Sequence, residues 1–158
     1  MNLRRFLWKT TLISDKKRIE WFPRILGSVL RYGGFSPLAT KKTLPHSWIA
    51  TNIGGSLFGG FQACLADPIA AMACAKIFPD YRVWTRSLNL DFRAQGLSDL
   101  ELRFQFTEEI EQQIRADLAS KGRSTPLFEY GYYLADGTLC TLIQTRVAIR
   151  PTAYKPGK

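Results

Sequence analysis

Asp67 stands in ACLADPIAAMA (residues 63–73), with no other charged residue for eight positions on either side. A buried, unpaired carboxylate is expensive to retain. Desolvation would raise its pKa towards neutrality, where a general base works best. The structural reading is a carboxylate that hydrogen-bonds a neighbouring strand or caps the bend made by Pro68. Just upstream, NIGGSLFGG (residues 52–60) places four glycines immediately before an apolar run. Such a cluster marks a turn that something approaches closely. Asn52 opens it, as asparagine often does in turns. The chain has one histidine, His46, so a His-rich metal site is excluded and no metal is expected. His46 lies in LPHSW, where it reads as a loop or strand-entry residue.

The elements around these residues follow from periodicity. The segment LFGGFQACLADPIAAMACAKIF is apolar nearly all round, which predicts a helix starting within 56–60, ending near 77 and enclosed by other structure. Pro68 should bend it. Trp84, Leu88, Leu90 and Phe92 then share one parity, as do Leu100, Leu102, Phe104 and Phe106, giving two half-buried strands. TEEIEQQIRADLASKG predicts a helix with Thr107 as N-cap, a stripe of Ile110, Ile114 and Leu118, and a stop at Gly122. Two longer strands follow, joined by the Asp136-Gly137 turn. One long apolar helix with an antiparallel sheet is an α+β arrangement.

A length of 158 residues suits one domain with an ordinary core. The net charge of +9 is uneven, with ten Lys/Arg against Asp15 and Glu20 in residues 1–45. The chain therefore divides into a basic leader (1–44), a main domain (45–150) and a frayed tail (151–158). Within the leader, Phe22, Ile25, Leu26, Val29 and Leu30 predict an amphipathic helix over 19–31, covering the domain or touching a membrane surface weakly. No nucleic-acid motif is present, so no specific nucleic acid is expected as partner. No signal peptide is legible, because basic residues interrupt every short apolar run of the leader. Three scattered cysteines with no CxxC point to a reducing cytoplasm.

The glycine stretch resembles the hot-dog fold acyl-CoA thioesterase superfamily, closest to its phenylacetate-pathway branch. That branch carries an Asn, a small-residue turn, His-Gly-Gly, and an Asp seven residues after the second Gly. Asn52, Gly55, Phe58-Gly59-Gly60 and Asp67 occupy those positions here, with LAD intact. The insertion at 107–121 looks like that of DUF4442-type bacterial proteins of uncharacterised function. The resemblance covers roughly 45–150 and implies a hot-dog fold, an antiparallel sheet wrapped around one central helix. Extra N-terminal helices and the insertion are added to that core. It implies hydrolysis of an acyl-CoA thioester, with coenzyme A entering only as part of the substrate and no other cofactor. Two residues depart from the pattern: Phe58 replaces the motif histidine, and Pro68 follows the Asp.

In this family a backbone N–H at the helix start polarises the thioester carbonyl, which Gly59 or Gly60 still offers. The glycines then form an acyl-carbonyl cradle beside Gly55 and Phe58. The bland alternative is that they only let a thick helix pack beneath a curved sheet. Asp67 serves as general base, or attacks the acyl carbon to give a mixed anhydride. Asn52 orients the water or the carbonyl, Thr85 matches a hydroxyl position, and Arg86 is among the arginines available to coenzyme A phosphates. Gly60 and Asp67, seven residues apart on one helix, are about 10 Å apart along its axis. One chain cannot bring both to the same carbon, so a homodimer, or a dimer of dimers, is expected. Its sheets would join through the long strand 139–150, otherwise an exposed edge. The second functional reading is a non-catalytic acyl- or lipid-binding module, with Phe58 marking lost chemistry.

Overall fold

A computed structural model describes residues 39–154, apart from Ile49 and the side chain of Thr40. The helix expected over 19–31, and any other N-terminal helix, lies outside the described residues, as do residues 155–158. The elements in chain order are β1 (Ala39–Leu44), α1 (Gly59–Ile77), β2 (Tyr81–Phe92), β3 (Leu100–Gln105), α2 (Glu108–Lys121), β4 (Leu127–Tyr133) and β5 (Leu139–Pro151). The five strands form one antiparallel sheet in the order β1-β3-β4-β5-β2, curled as a half-barrel around α1.

The helix α1 spans the segment that its apolar run predicts. Small residues on its inner side, Ala66, Ala70 and Ala73, let the backbone approach the sheet, where Leu102, Ile143 and Val147 are fully buried. Pro68 lies within the helix and supplies no N–H to the preceding turn. Around it the sheet reaches for helix carbonyls. Tyr130 donates its hydroxyl to Ala66 O at 2.7 Å, Tyr132 to Gln62 O at 2.8 Å, and Thr85 to Asp67 O at 2.9 Å. These bonds fix the rotation and depth of α1 against β2 and β4. Burial pushes the Tyr130 and Tyr132 phenols well above their ordinary range, so both stay neutral donors.

Several expectations are corrected. The sheet begins at residue 39, because ATKKTL pairs with β3 as an edge strand. Exposed Lys41 suits an edge, and buried Lys42 beside it hides the alternation. Strand β5 is not an edge; it lies between β4 and β2, and the edge beside it, opposite the β1 edge, belongs to the twelve-residue β2. Trp84 does not share a face with Leu88 and Leu90, since a bulge between Thr85 and Ser87 shifts the parity. The tail is tied down as far as Tyr154, whose ring stacks on Trp84 and whose carbonyl accepts from Arg82. Finally, the described residues do not enclose α1 all round, and Asp67 lies exposed.

The helix α2 follows its signals closely. Thr107 accepts the Ile110 N–H at its start, Ile114 is fully buried, and Gly122 closes the end.

Candidate active site

The glycine turn is a small closed loop. Thr51 and Leu57 form an isolated antiparallel bridge, and Asn52 N–H donates to Ser56 O at 2.8 Å. Asn52 Oδ1 accepts from Gly54 N–H at 2.9 Å and Ser56 N–H at 3.3 Å, while its Nδ2 donates to Ser56 Oγ at 2.8 Å. Asn52 therefore builds the turn with both ends of its amide. Gly55 sits at φ 82°, a left-handed conformation that other residues adopt rarely. His46 braces the loop from outside, donating from Nε2 to Gly55 O at 2.8 Å, and its own N–H reaches Asp99.

This loop delivers the chain to α1 with an open N-terminus. Phe58 is the N-cap and contributes no side-chain hydrogen bond. The first helical bonds come from Phe61 and Gln62, both to Phe58 O, so the Gly59 and Gly60 N–H groups have no intrahelical acceptor. A β-carbon on Gly59 would come within 2.8 Å of the Phe92 ring, and one on Gly60 within 2.4 Å of the Phe58 ring. Those rings are 55% and 47% exposed. Gly59 thus lines the groove and also lets the helix start approach Phe92, the last residue of β2, so the cradle and packing readings both fit here.

The groove has a volume of about 520 Å³ and runs between this helix end and the segment from Phe92 to Gly96. That far wall is anchored in turn. The Leu57 N–H donates to Gly96 O, and the Arg93 and Ala94 N–H groups both donate to Cys140 O. Arg93 pairs with Asp91 at 2.8 Å, so its charge is compensated at the rim. Gln62, which sequence reasoning missed, also lines the groove with its side chain almost wholly buried. A polar residue in the first turns of an otherwise apolar helix was the available signal.

Asp67, Thr85 and Arg86 gather elsewhere. Thr85 spends its hydroxyl on Asp67 O, and Arg86 is the extra residue of the β2 bulge, exposed beside the free edge. The Asp67 carboxylate makes no hydrogen bond or ion pair among the described residues. One chain therefore holds the expected residues as two groups. Asn52, Gly55, Phe58, Gly59 and Gly60 are at the start of α1, and Asp67, Thr85 and Arg86 are about 10 Å further along it. Among the described residues no cluster could hold a metal ion.

No protein-family model and no curated protein matches the sequence. Solved structures do. A Pseudomonas aeruginosa protein of unknown function, described as a probable thioesterase, superposes with a TM-score of 0.68 at 15% identity, over 88% of this chain and 97% of its own. A Staphylococcus aureus thioesterase superposes at 0.61 with 14% identity, over 81% of this chain and 99% of its own. It has been solved with a glutamine replaced by alanine and, separately, with a glutamate replaced by alanine. A Bacillus halodurans protein solved with CoA superposes at 0.54 with 17% identity, over 69% of this chain and 66% of its own. The described chain thus has the hot-dog fold, and its neighbours of that fold include thioesterases.

Proposed function

We propose that this protein hydrolyses acyl-CoA thioesters at sites shared between two copies of the chain. The observation that carries the reading is the open start of α1, where Gly59 lines a groove with aromatic walls and the Gly59 and Gly60 N–H groups have no intrahelical acceptor. A helix N-terminus of this kind stabilises negative charge, and here that charge is the oxyanion of the attacked carbonyl. Asp67 of a second copy accepts a proton from water as the water oxygen bonds to the acyl carbon. The C=O electrons move onto oxygen beside the glycines. Collapse breaks the C–S bond, and the leaving thiolate takes the proton back from Asp67. Direct attack by Asp67 is the other route: its oxygen bonds to the acyl carbon as the C–S bond breaks and the thiolate leaves. Water attack at the aspartyl carbon of the resulting anhydride would carry ¹⁸O from ¹⁸O-water into Asp67 in a single turnover.

The fold neighbours support this reading, and the CoA-bound neighbour supports acyl-CoA as the ligand class. So does spacing: the glutamine and glutamate replaced in the S. aureus protein stand fifteen residues apart, as Asn52 and Asp67 do here. Dimerisation through the free edge of β2 would cover the exposed Asp67 face and supply Arg86 near coenzyme A phosphates. Phe58, in place of the motif histidine, favours the second reading, an acyl-binding module without turnover. Thiol release from a panel of aliphatic and aromatic acyl-CoAs separates the two. Turnover of one or more supports hydrolysis, while tight acyl-CoA binding with no thiol released overturns it.

A further inference from the structure

Gln62 has no part in the reading above, yet it is only 3% exposed and lines the groove. Burying a primary amide is costly unless its carbonyl and its NH₂ find partners. The carbonyl has one: Thr141, fully buried on β5, donates its hydroxyl to Gln62 Oε1 at 2.6 Å. The Leu57 carbonyl, which can only accept, decides which end of the amide faces which way, and the Thr141 hydroxyl donates to the other end. The oxygen turns to β5, and Nε2 turns back along the helix to donate to Leu57 O at 3.3 Å. Nε2 carries two hydrogens, and this long bond accounts for one of them. Helical side chains lean towards the N-terminus, so Nε2 lies on the side of α1 where the Gly59 and Gly60 N–H groups open. The Gln62 backbone is pinned as well, because Tyr132 donates to its carbonyl at 2.8 Å.

We infer that Gln62 is a catalytic residue whose side-chain N–H binds the carbonyl oxygen of the bound thioester, beside the backbone donors of the glycines. The inference rests on the hydrolytic reading above. Phe58 contributes no polar group to this oxygen, so the helix end has backbone donors and Gln62 as its side-chain donor. As water attacks and the C=O electrons move onto oxygen, the bond to Nε2 strengthens. Gln62 neither gains nor loses a proton. Thr141 is a positioning residue, holding the amide so that its nitrogen and not its oxygen meets the substrate. Without that hydroxyl the amide can turn over and present a repelling oxygen.

The test measures thiol release by the full chain from acetyl-, hexanoyl-, palmitoyl- and phenylacetyl-CoA. Gln62→Met keeps the length of the side chain and removes its donors. We expect kcat to fall by about 10²-fold, the usual loss for one oxyanion donor, while KM changes little. Thr141→Val should lower kcat on the order of tenfold by releasing the amide. A packing role would instead lower Tm and leave kcat of the folded enzyme intact. A folded Gln62→Met with kcat within about threefold of wild type overturns the role of Gln62 and leaves hydrolysis standing. A wild type that turns over none of the four substrates overturns hydrolysis, and Gln62 with it. Should Gln62→Met not fold, Gln62→Glu is read on the same scale. It keeps an acceptor for Thr141 but sets a carboxylate against the growing oxyanion, and near-wild-type kcat there also overturns the inference.

Discussion

The two ends of the candidate chemistry are built to different degrees by a single chain. At the start of α1, one chain supplies the turn, the groove, both glycine donors and the buried Gln62. Nearly every polar group there is fixed by a neighbour: Asn52 by its own loop, His46 by Gly55, Gln62 by Thr141. Around Asp67, the described residues supply a carboxylate with no hydrogen bond or ion pair among them, a bulge, an exposed Arg86 and a strand edge at β2. A finished half-site and an unfinished one on the same helix, about 10 Å apart, are what a shared site looks like in isolation. On the proposed reading, the difference gives preorganisation to the groove and leaves reactivity at Asp67 to assembly.

The strongest way to break this comparison is Asp67→Asn. The amide keeps the size of the carboxylate but neither accepts the water's proton nor attacks carbon. Turnover should fall by about 10²–10⁴-fold while acyl-CoA binding and Tm stay near wild type. Mixing then tests sharing. Asp67→Asn and Gly60→Val, each inactive alone, should regain about a quarter of wild-type activity when unfolded and refolded together, because half the dimers are mixed and each carries one intact site. No recovery on mixing would place both groups in one chain's site, against the geometry of α1.

A smaller effect sharpens the groove end. Gly60→Ala sets a methyl where the Phe58 ring lies, at 2.4 Å. The ring is exposed enough to swing aside, and alanine is the better helix former, so stability should rise or hold within about 1 kcal/mol. The displaced ring and the methyl crowd the oxyanion position, so kcat should drop on the order of tenfold. Phe58→His should change kcat by less than about threefold, since the donors are backbone N–H groups and Gln62. Loss of stability in Gly60→Ala without loss of kcat would return the glycines to a packing role.

Much of this was legible in the sequence because it rests on periodicity and local signals. The length of α1, the Thr107 cap, the Asp136-Gly137 hairpin and the placing of glycines at a helix start are all of that kind. What was not legible depends on pairing between distant segments. The lysines of β1 read as leader because only its partner β3 makes them a strand. The period-two pattern puts Trp84 on the wrong face because one bulged residue at Arg86 inverts it without changing composition. The length of β5 suggests an edge, but strand order is not written in strand length. The apolar neighbours of Asp67 predict burial, yet among the described residues it is exposed on one flank of α1. Gln62 was passed over because a lone glutamine acquires meaning only from Thr141, far away in sequence.

The smallest expected effect reports on that uncovered flank directly. Cys64 lies three residues before Asp67 and is partly accessible, whereas Cys74 and Cys140 are buried. Burial first, and then the negative charge of Asp67, hold the Cys64 thiol above its ordinary range. The thiolate is the form that alkylates, so at pH 8 iodoacetamide should modify Cys64 more slowly than a free cysteine. Asp67→Asn removes the second cause. The thiol pKa then moves down, the thiolate fraction at fixed pH rises, and alkylation should speed up by about twofold. Concentration gives the other half of the test. If a second copy covers this flank, the rate should be lowest at high protein concentration and rise on dilution as dimers part. A rate independent of concentration, with Asp67→Asn equally reactive, would leave the Asp67 face bare in solution. The unfinished half-site would then be no half-site at all.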